Sequence, residues 1–339
     1  MFPKKNYSYL VSEVAQAHEG SINLAHSFID LVSNTGYDAI KFQVHLAEYE
    51  TTHDDQFRKS SINYYSDRFN YWKRMEFSTK QWIDLSKFSR KKNLGFICSI
   101  FCEESIKILK KLPHLTAIKI SSGEMFNYQL ISELLKLNKP LIISIGMANF
   151  LEVSNLVKKI KKKSKKFHIL HCVSQYPCKI KNLKIKNISY LKKKLKIDNV
   201  GYSDHSANKE VLLYAISQEA SIIENHVCLN KKIYGPDTSS SLTIEEMREI
   251  VKFRDMYYFL KNQKVSFTLD HSLKSNKKLF SKSIALKNDI SKGQIIKKDV
   301  LTLKKPGSGV NPKFINQFNN KIAKKDLSRN KLLKWSDIK

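Results

Sequence analysis

No run of about 18 apolar residues occurs anywhere in the 339-residue chain, which argues against a membrane-spanning helix. The opening Met1-Phe-Pro-Lys-Lys-Asn6 has no apolar signal segment and no small-residue cleavage site, so a cytoplasmic protein is expected. The five cysteines, Cys98, Cys102, Cys172, Cys178 and Cys228, are odd in number and lack CxxC spacing. That pattern speaks against a disulfide frame or a zinc site and for buried free thiols in a reducing cytosol. Glycine is missing where a dinucleotide fold needs it: Gln16-Ala-His-Glu-Gly20, after the first strand-like run, holds one. There is no internal repeat, and no low-complexity tract beyond clusters of lysine.

Negative charge is also in short supply. Sixty lysines and arginines face 31 acidic residues, a net charge of +29, which raises the question of a nucleic-acid partner. Arginine, the better residue for bidentate phosphate and base recognition, is heavily outnumbered by lysine. Much of the charge lies in Lys158-Lys-Ile-Lys-Lys-Lys-Ser-Lys-Lys166 and Lys192-Lys-Lys-Leu-Lys196, where amphipathic helices and their ends are expected. These lysines read as a solvated outer face, and no nucleic-acid partner is expected. Steering of a small anionic substrate is compatible with the charge.

The chain does hold eight short apolar runs: Tyr9–Ala15, Ala39–His45, Gly95–Ile100, Ala117–Ser121, Pro140–Ile145, Phe167–Cys172, Val200–Asp204 and Ser221–Val227. They are rich in Ile, Val and Leu without polar alternation, as parallel strands buried on both faces require. Helical patterns lie between them. Ser78-Thr-Lys-Gln81 and Thr243-Ile-Glu-Glu246 read as helix starts, and Gly95 reads as a glycine stop after Lys91-Lys-Asn-Leu94. Eight βα units in about 260 residues predict a closed (β/α)₈ TIM barrel over residues 1–263. A doubly wound open sheet is the alternative, with usually fewer strands and that glycine-rich turn. Leu46 to Phe77, dense in aromatic and charged residues, is a long connection of the kind that forms an active-site lid. Residues 264–279 lack helical periodicity and read as a linker. Short strand-like pieces at Ser283–Leu286, Gln294–Ile296 and Val300–Leu303 predict a small β-rich domain over 280–339.

In a barrel, side chains at the C-terminal ends of strands converge. Here these are Glu13, Lys41, Gln43, Ser99, Lys119, Ser122, Glu124, Ser144, Ser174, Tyr176, Asp204, His205 and His226. Lysines and hydroxyls suit a phosphate or carboxylate. Two neutral imidazoles can hold a divalent metal with positions left open. Glutamates can move protons. Any one of these alone is more readily explained as a rim salt-bridge or capping residue. Together they close one face of an apolar barrel with buried charge, which is costly without a ligand.

Ser12-Glu-Val-Ala-Gln-Ala-His-Glu-Gly20, Ala39-Ile-Lys-Phe-Gln43, Ile118-Lys-Ile-Ser-Ser-Gly-Glu124, Ile142-Ile-Ser-Ile-Gly-Met147, His171-Cys-Val-Ser-Gln-Tyr-Pro177, Gly201-Tyr-Ser-Asp-His-Ser206, Glu224-Asn-His226 and Gly235-Pro-Asp237 occur in that order. The set resembles the sialic acid (N-acetylneuraminate) synthase family. Lys287-Asn-Asp-Ile-Ser-Lys-Gly293 through Lys304-Lys-Pro-Gly-Ser-Gly309 resembles its C-terminal antifreeze-like (SAF) domain, so the likeness covers nearly the whole chain. It implies condensation of phosphoenolpyruvate with an N-acylated hexosamine of the N-acetylmannosamine type, giving a nonulosonic acid and phosphate, with legionaminic- or pseudaminic-type synthesis as an alternative on the same scaffold. A non-catalytic sugar-binding protein is a more distant alternative.

The resemblance also implies that His205 and His226 hold Mn²⁺ or Mg²⁺. By the same likeness, Lys41, Ser99, Lys119, Ser122, Ser144 and Ser174 contact phosphoenolpyruvate, and Gln43, Tyr176 and Asp237 contact the sugar. Glu13 and Glu124 are the carboxylates near the reacting atoms. Two positions depart from the family. Cys98-Ser-Ile-Phe-Cys102 replaces a Ser-Thr/Ser-Pro-Phe pattern, leaving Ser99 to supply the hydroxyl. Lys305 stands where the family places an arginine that reaches the partner's sugar, so a homodimer with exchanged tails is expected.

Overall fold

The computed structural model describes Phe2, residues 7–55 and residues 67–339. The chain divides into two compact units, Met1–Gln263 and Lys264–Lys339. The first unit is a closed parallel barrel. Its strands are Tyr9–Glu13 (β1), Ala39–Val44 (β2), Gly95–Ile100 (β3), Ala117–Ile120 (β4), Leu141–Ser144 (β5), Phe167–His171 (β6), Val200–Asp204 (β7) and Ile222–Val227 (β8). Each pairs with the next, and β8 pairs back onto β1 with Tyr9 opposite Ile222 and Glu13 opposite His226. The apolar runs locate the strands, and several end one or two residues earlier than the runs do. A two-residue strand, Ser241–Leu242 (β9), adds to β8.

Alternation along each strand divides its side chains between two places. Leu10, Ile40, Phe42, Phe96, Ile118, Ile143, Ile169 and Ile223 point outward and pack under the helices in one large core. Val11, Ala39, Ile97, Ala117, Ile142, Leu170 and Ile222 point inward and plug the lumen as a second, smaller core. That plug makes the lumen a packed interior with a floor, not a pore.

The helices begin where expected. Ser78 and Thr243 each accept from the backbone N–H three residues on, and Gln81 and Glu246 return the bond, giving capping boxes for Thr79–Lys91 and Ile244–Lys261. Gly95 is not the stop of the first of these. Asn93 takes the left-handed conformation (φ 59°), and Gly95 is already in β3, where an added Cβ would lie 2.6 Å from the Tyr9 hydroxyl. The lysines of the 158–166 cluster are all exposed, as read from the sequence. No helix among the described residues is long and apolar enough to cross a membrane.

Of the long connection after β2, residues 46–55 and 67–77 are described; 56–66 lie outside the described residues. The described part is partly helical, over Ala47–Glu50 and Arg68–Met75.

In the second unit, Ser283–Leu286 pairs antiparallel with Leu301–Lys304, and Ile295–Ile296 with Lys321–Ile322. Ile284, Leu286, Ile296, Phe318 and Leu333 form its core. The expected linker needs correcting. His271–Phe280 is a helix capped by Asp270, whose carboxylate accepts from Leu273 N at 2.8 Å. It buries no residue, so no apolar periodicity marked it; the Asp270 cap was the available signal. Lys305 belongs to this unit, with Nζ 5.5 Å from the Phe280 ring centroid.

Candidate active site

One step of the pleat above the plug, the inward positions change character. Val11 gives way to Glu13, Ala39 to Lys41 and then Gln43, Ile97 to Ser99, Ala117 to Lys119, Ile142 to Ser144, and Ile222 to Glu224 and then His226. These side chains open into a cavity of about 510 Å³, which Ser122, Glu124, Ser174, Tyr176, His205 and Asp237 line from the loops after β4, β6, β7 and β8. Every residue singled out by the family resemblance is therefore at one cavity, except Lys305 in the second unit. Asp204 is not at the cavity; it is buried, accepting from the hydroxyls of Tyr202 and Ser206, and the following helix is capped by Asn208.

The floor is a buried ion cluster. Lys41 Nζ lies 2.7 Å from Glu13 Oε2, 3.2 Å from Ser99 Oγ and 3.4 Å from Glu224 Oε1. Lys119 Nζ lies 2.8 Å from the same Glu224 oxygen, which also accepts from Ser203 Oγ at 3.0 Å. Burial favours the neutral form of both lysines, and the outcomes differ. Two carboxylates beside Lys41 outweigh burial and hold its pKa above the ordinary lysine value. Lys119 has burial and the Lys41 ammonium against it, and its pKa is lowered despite Glu224. For Glu224, burial acts upward, but Lys119 and Lys41 together hold its carboxyl well below the usual range. Its second oxygen is buried without a hydrogen bond.

Above the cluster, His205 and His226 stand with ring centroids 5.5 Å apart, and Tyr176 is 4.1 Å from His205. His205 Nδ1 faces the Val173 carbonyl at 2.9 Å. A carbonyl only accepts, so Nδ1 carries the proton and Nε2 keeps its lone pair. Burial, then the neighbouring His226, hold the His205 pKa down to about 3, so the ring is neutral. His226 Nδ1 is buried without a hydrogen bond, 3.8 Å from Asp237 Oδ2. Two imidazoles side by side, His226 with a buried nitrogen that makes no hydrogen bond, suit a divalent cation. Among the described residues no group of three or more histidine, cysteine or carboxylate side chains is gathered to hold one unaided. The donor set therefore fits an ion that substrate or water also ligates.

Gly146 permits a crowded corner of hydroxyls. Its N–H donates to Ser122 Oγ at 3.0 Å, and an added Cβ would lie 2.6 Å from both Ser174 Oγ and Cys172 Sγ.

Sequence reasoning missed several lining residues. Glu224 and Ser203 were legible by period two, each lying two residues before a histidine that had been picked out. His45 and Phe101, two residues beyond Gln43 and Ser99, were legible by the same alternation, whereas Gln16, Glu50, Arg68 and Trp72 also line the cavity and no periodic signal marks them.

This geometry can be set beside known proteins. The NeuB family model matches residues 28–264 and the SAF domain model residues 281–339. The chain belongs to the NeuB family. It is 30% identical to the N,N'-diacetyllegionaminic acid synthase of Campylobacter jejuni, over 96% of this chain and 98% of that protein. It is 26% identical to the N-acetylneuraminate-9-phosphate synthase of Homo sapiens, over 87% of this chain and 82% of that one. Among solved structures, the N-acetylneuraminic acid synthetase of Leptospira borgpetersenii matches with a TM-score of 0.67 at 27% identity, covering 80% of this chain and 90% of that one.

Proposed function

We propose that this NeuB-family enzyme condenses phosphoenolpyruvate with an N-acylated hexosamine, of the N-acetylmannosamine type, to give a nonulosonic acid and inorganic phosphate. The observation that carries the reading is the floor of the cavity: Lys41 and Lys119, each 3% exposed, below the paired imidazoles of His205 and His226. Buried ammonium groups meet the charges of a phosphate and a carboxylate with little competition from water.

The hydroxyls of Ser99, Ser122, Ser144 and Ser174 extend that anion site, and Gln43, Tyr176 and Asp237 face the sugar. C3 of the enol bonds to the aldehyde carbon of the open-chain sugar, and water adds at C2. The bond between C2 and the oxygen bridging to phosphorus then breaks; phosphate leaves with that oxygen, and the added hydroxyl loses its proton to become the carbonyl of the 2-keto acid. Glu13 and Glu124 are the groups placed to take and return protons. Mn²⁺ or Mg²⁺ held by His205 and His226 would supply Lewis-acid polarisation of the aldehyde oxygen. The Lys41 ammonium, which Glu13 and Glu224 favour, holds the anion in place while C2 changes geometry.

A non-catalytic sugar-binding protein has no need of the cationic floor. The relatives above are named for different acids, so the acceptor is set here at the class of N-acylated hexosamines. Phosphate release from phosphoenolpyruvate, screened over a panel of such sugars with Mn²⁺, tests the proposal. Release that requires one of the sugars is expected; release without any sugar, or none with all of them, would overturn it. The homodimer implied by the resemblance is tested by mixing a Lys305→Ala subunit with a His226→Ala subunit after verified exchange. Recovered activity supports a site shared between subunits.

A further inference from the structure

His45, just past the end of β2, is packed on both faces. The Trp72 ring stacks on one side (centroids 3.9 Å apart, planes 15°) and the Phe101 ring on the other (4.7 Å, 7°). Both of its nitrogens meet oxygen. Nδ1 lies 2.7 Å from Glu50 Oε1, and Nε2 lies 3.0 Å from Gln43 Oε1. How Gln43 is turned follows from the other end of its amide. Gln43 Nε2 donates to the Glu13 carboxylate at 2.6 Å, so Oε1 faces the other way, toward His45 and toward Gln16 Nε2 at 2.7 Å.

An amide side chain has two N–H donors and two acceptor lone pairs. Here His45 and Gln16 occupy both lone pairs, and Glu13 takes one N–H. What Gln43 leaves for a ligand is a single N–H. We propose that His45 is a positioning residue that holds Gln43 in the polarity Glu13 sets, so that the substrate atom meeting Gln43 must be a hydrogen-bond acceptor, such as an acyl carbonyl or a hydroxyl oxygen of the sugar. The inference rests on the reading of the cavity as a sugar site. His45 does not touch the reacting atoms; it acts through Gln43, and its stacking between Trp72 and Phe101 holds the imidazole plane in register with that amide.

Three replacements separate positioning from packing. His45→Phe keeps the sandwich and removes both ring nitrogens. His45→Gln returns a donor near Nε2, toward Gln43, and His45→Asn returns one near Nδ1, toward Glu50. The expected result is a KM for the sugar raised about tenfold in His45→Phe and His45→Asn, with the KM for phosphoenolpyruvate within about twofold of wild type. His45→Gln should return the sugar KM to within about threefold of wild type.

Equal behaviour of the Gln and Asn variants would overturn the proposal, as would a phosphoenolpyruvate KM that moves as far as the sugar KM. A readout without turnover is the side-chain amide resonance of Gln43, assigned by its loss in Gln43→Leu. It should shift in His45→Phe and His45→Asn and return in His45→Gln; an unmoved resonance in all three would overturn the proposal. If the wild-type enzyme releases no phosphate with any hexosamine tested, the proposed function falls, and the resonance still decides the role of His45.

Discussion

The two halves of the barrel lumen are built on the same strands, one step of the pleat apart, and they have opposite chemistry. Below lie Val11, Ala39, Ile97, Ala117, Ile142, Leu170 and Ile222. Above lie Glu13, Lys41, Ser99, Lys119, Ser144 and Glu224. The lower layer gains from being removed from water. The upper layer gathers charges that cost free energy to bury and are kept tolerable by one another. The plug seals one end of the lumen, so the ion cluster above it opens into the cavity and not onto a channel through the barrel. Stability and function are thus separated by about two residues along each strand, and the separation can be tested from either side.

The largest effect is expected at the top. Chelation should abolish activity, and His205→Ala or His226→Ala should prevent its recovery when Mn²⁺ is restored; full turnover in chelator would show that the pair has no metal role. Next comes Glu224→Leu, which strands two ammonium groups and should lower stability by about 3–5 kcal/mol in denaturant unfolding. The same carboxylate sets a pH dependence. Its folded pKa lies below the ordinary value, so its contribution is present above about pH 4.5 and is lost as pH falls through the folded pKa. Glu224→Gln should flatten that acid limb. Lys41→Met and Lys119→Met should each reduce kcat/KM by roughly 30- to 1000-fold, about 2–4 kcal/mol; unchanged phosphoenolpyruvate kinetics would make them structural residues. The smallest effect belongs to the plug. Ile142→Val should cost about 1 kcal/mol of stability and leave both KM values in place. The exposed Lys162→Met should change neither property.

Much of the upper layer was legible because strand ends and buried charge are both visible in the chain. Eight apolar runs predict eight strands, and polar residues that interrupt such runs mark their inward tips, as Lys41 and Lys119 do. Glu224 was overlooked although it sits two residues before His226; the alternation that makes one face inward makes the other face inward too. His45 follows Lys41 and Gln43 at the same period, but its stacking with Trp72 was invisible for a different reason. Their meeting depends on how the connection after β2 folds back over the strand end, and no periodicity encodes that. The helix His271–Phe280 buries nothing, so the pattern that reveals most helices was absent. Its capping aspartate was the one local clue.

Gly146 has a consequence for how this site can change over time. Its missing side chain is the space in which Ser122, Ser174 and Cys172 come together. Even a methyl group there would push at least two of them apart, whatever the backbone could tolerate. A position of that kind ties its neighbours together: a side chain at residue 146 requires Ser174 and Cys172 to turn away and Ser122 to give by a few tenths of an ångström. Variation in substrate among such enzymes should accordingly collect at the wall and the tail, while the corner at Gly146 stays fixed.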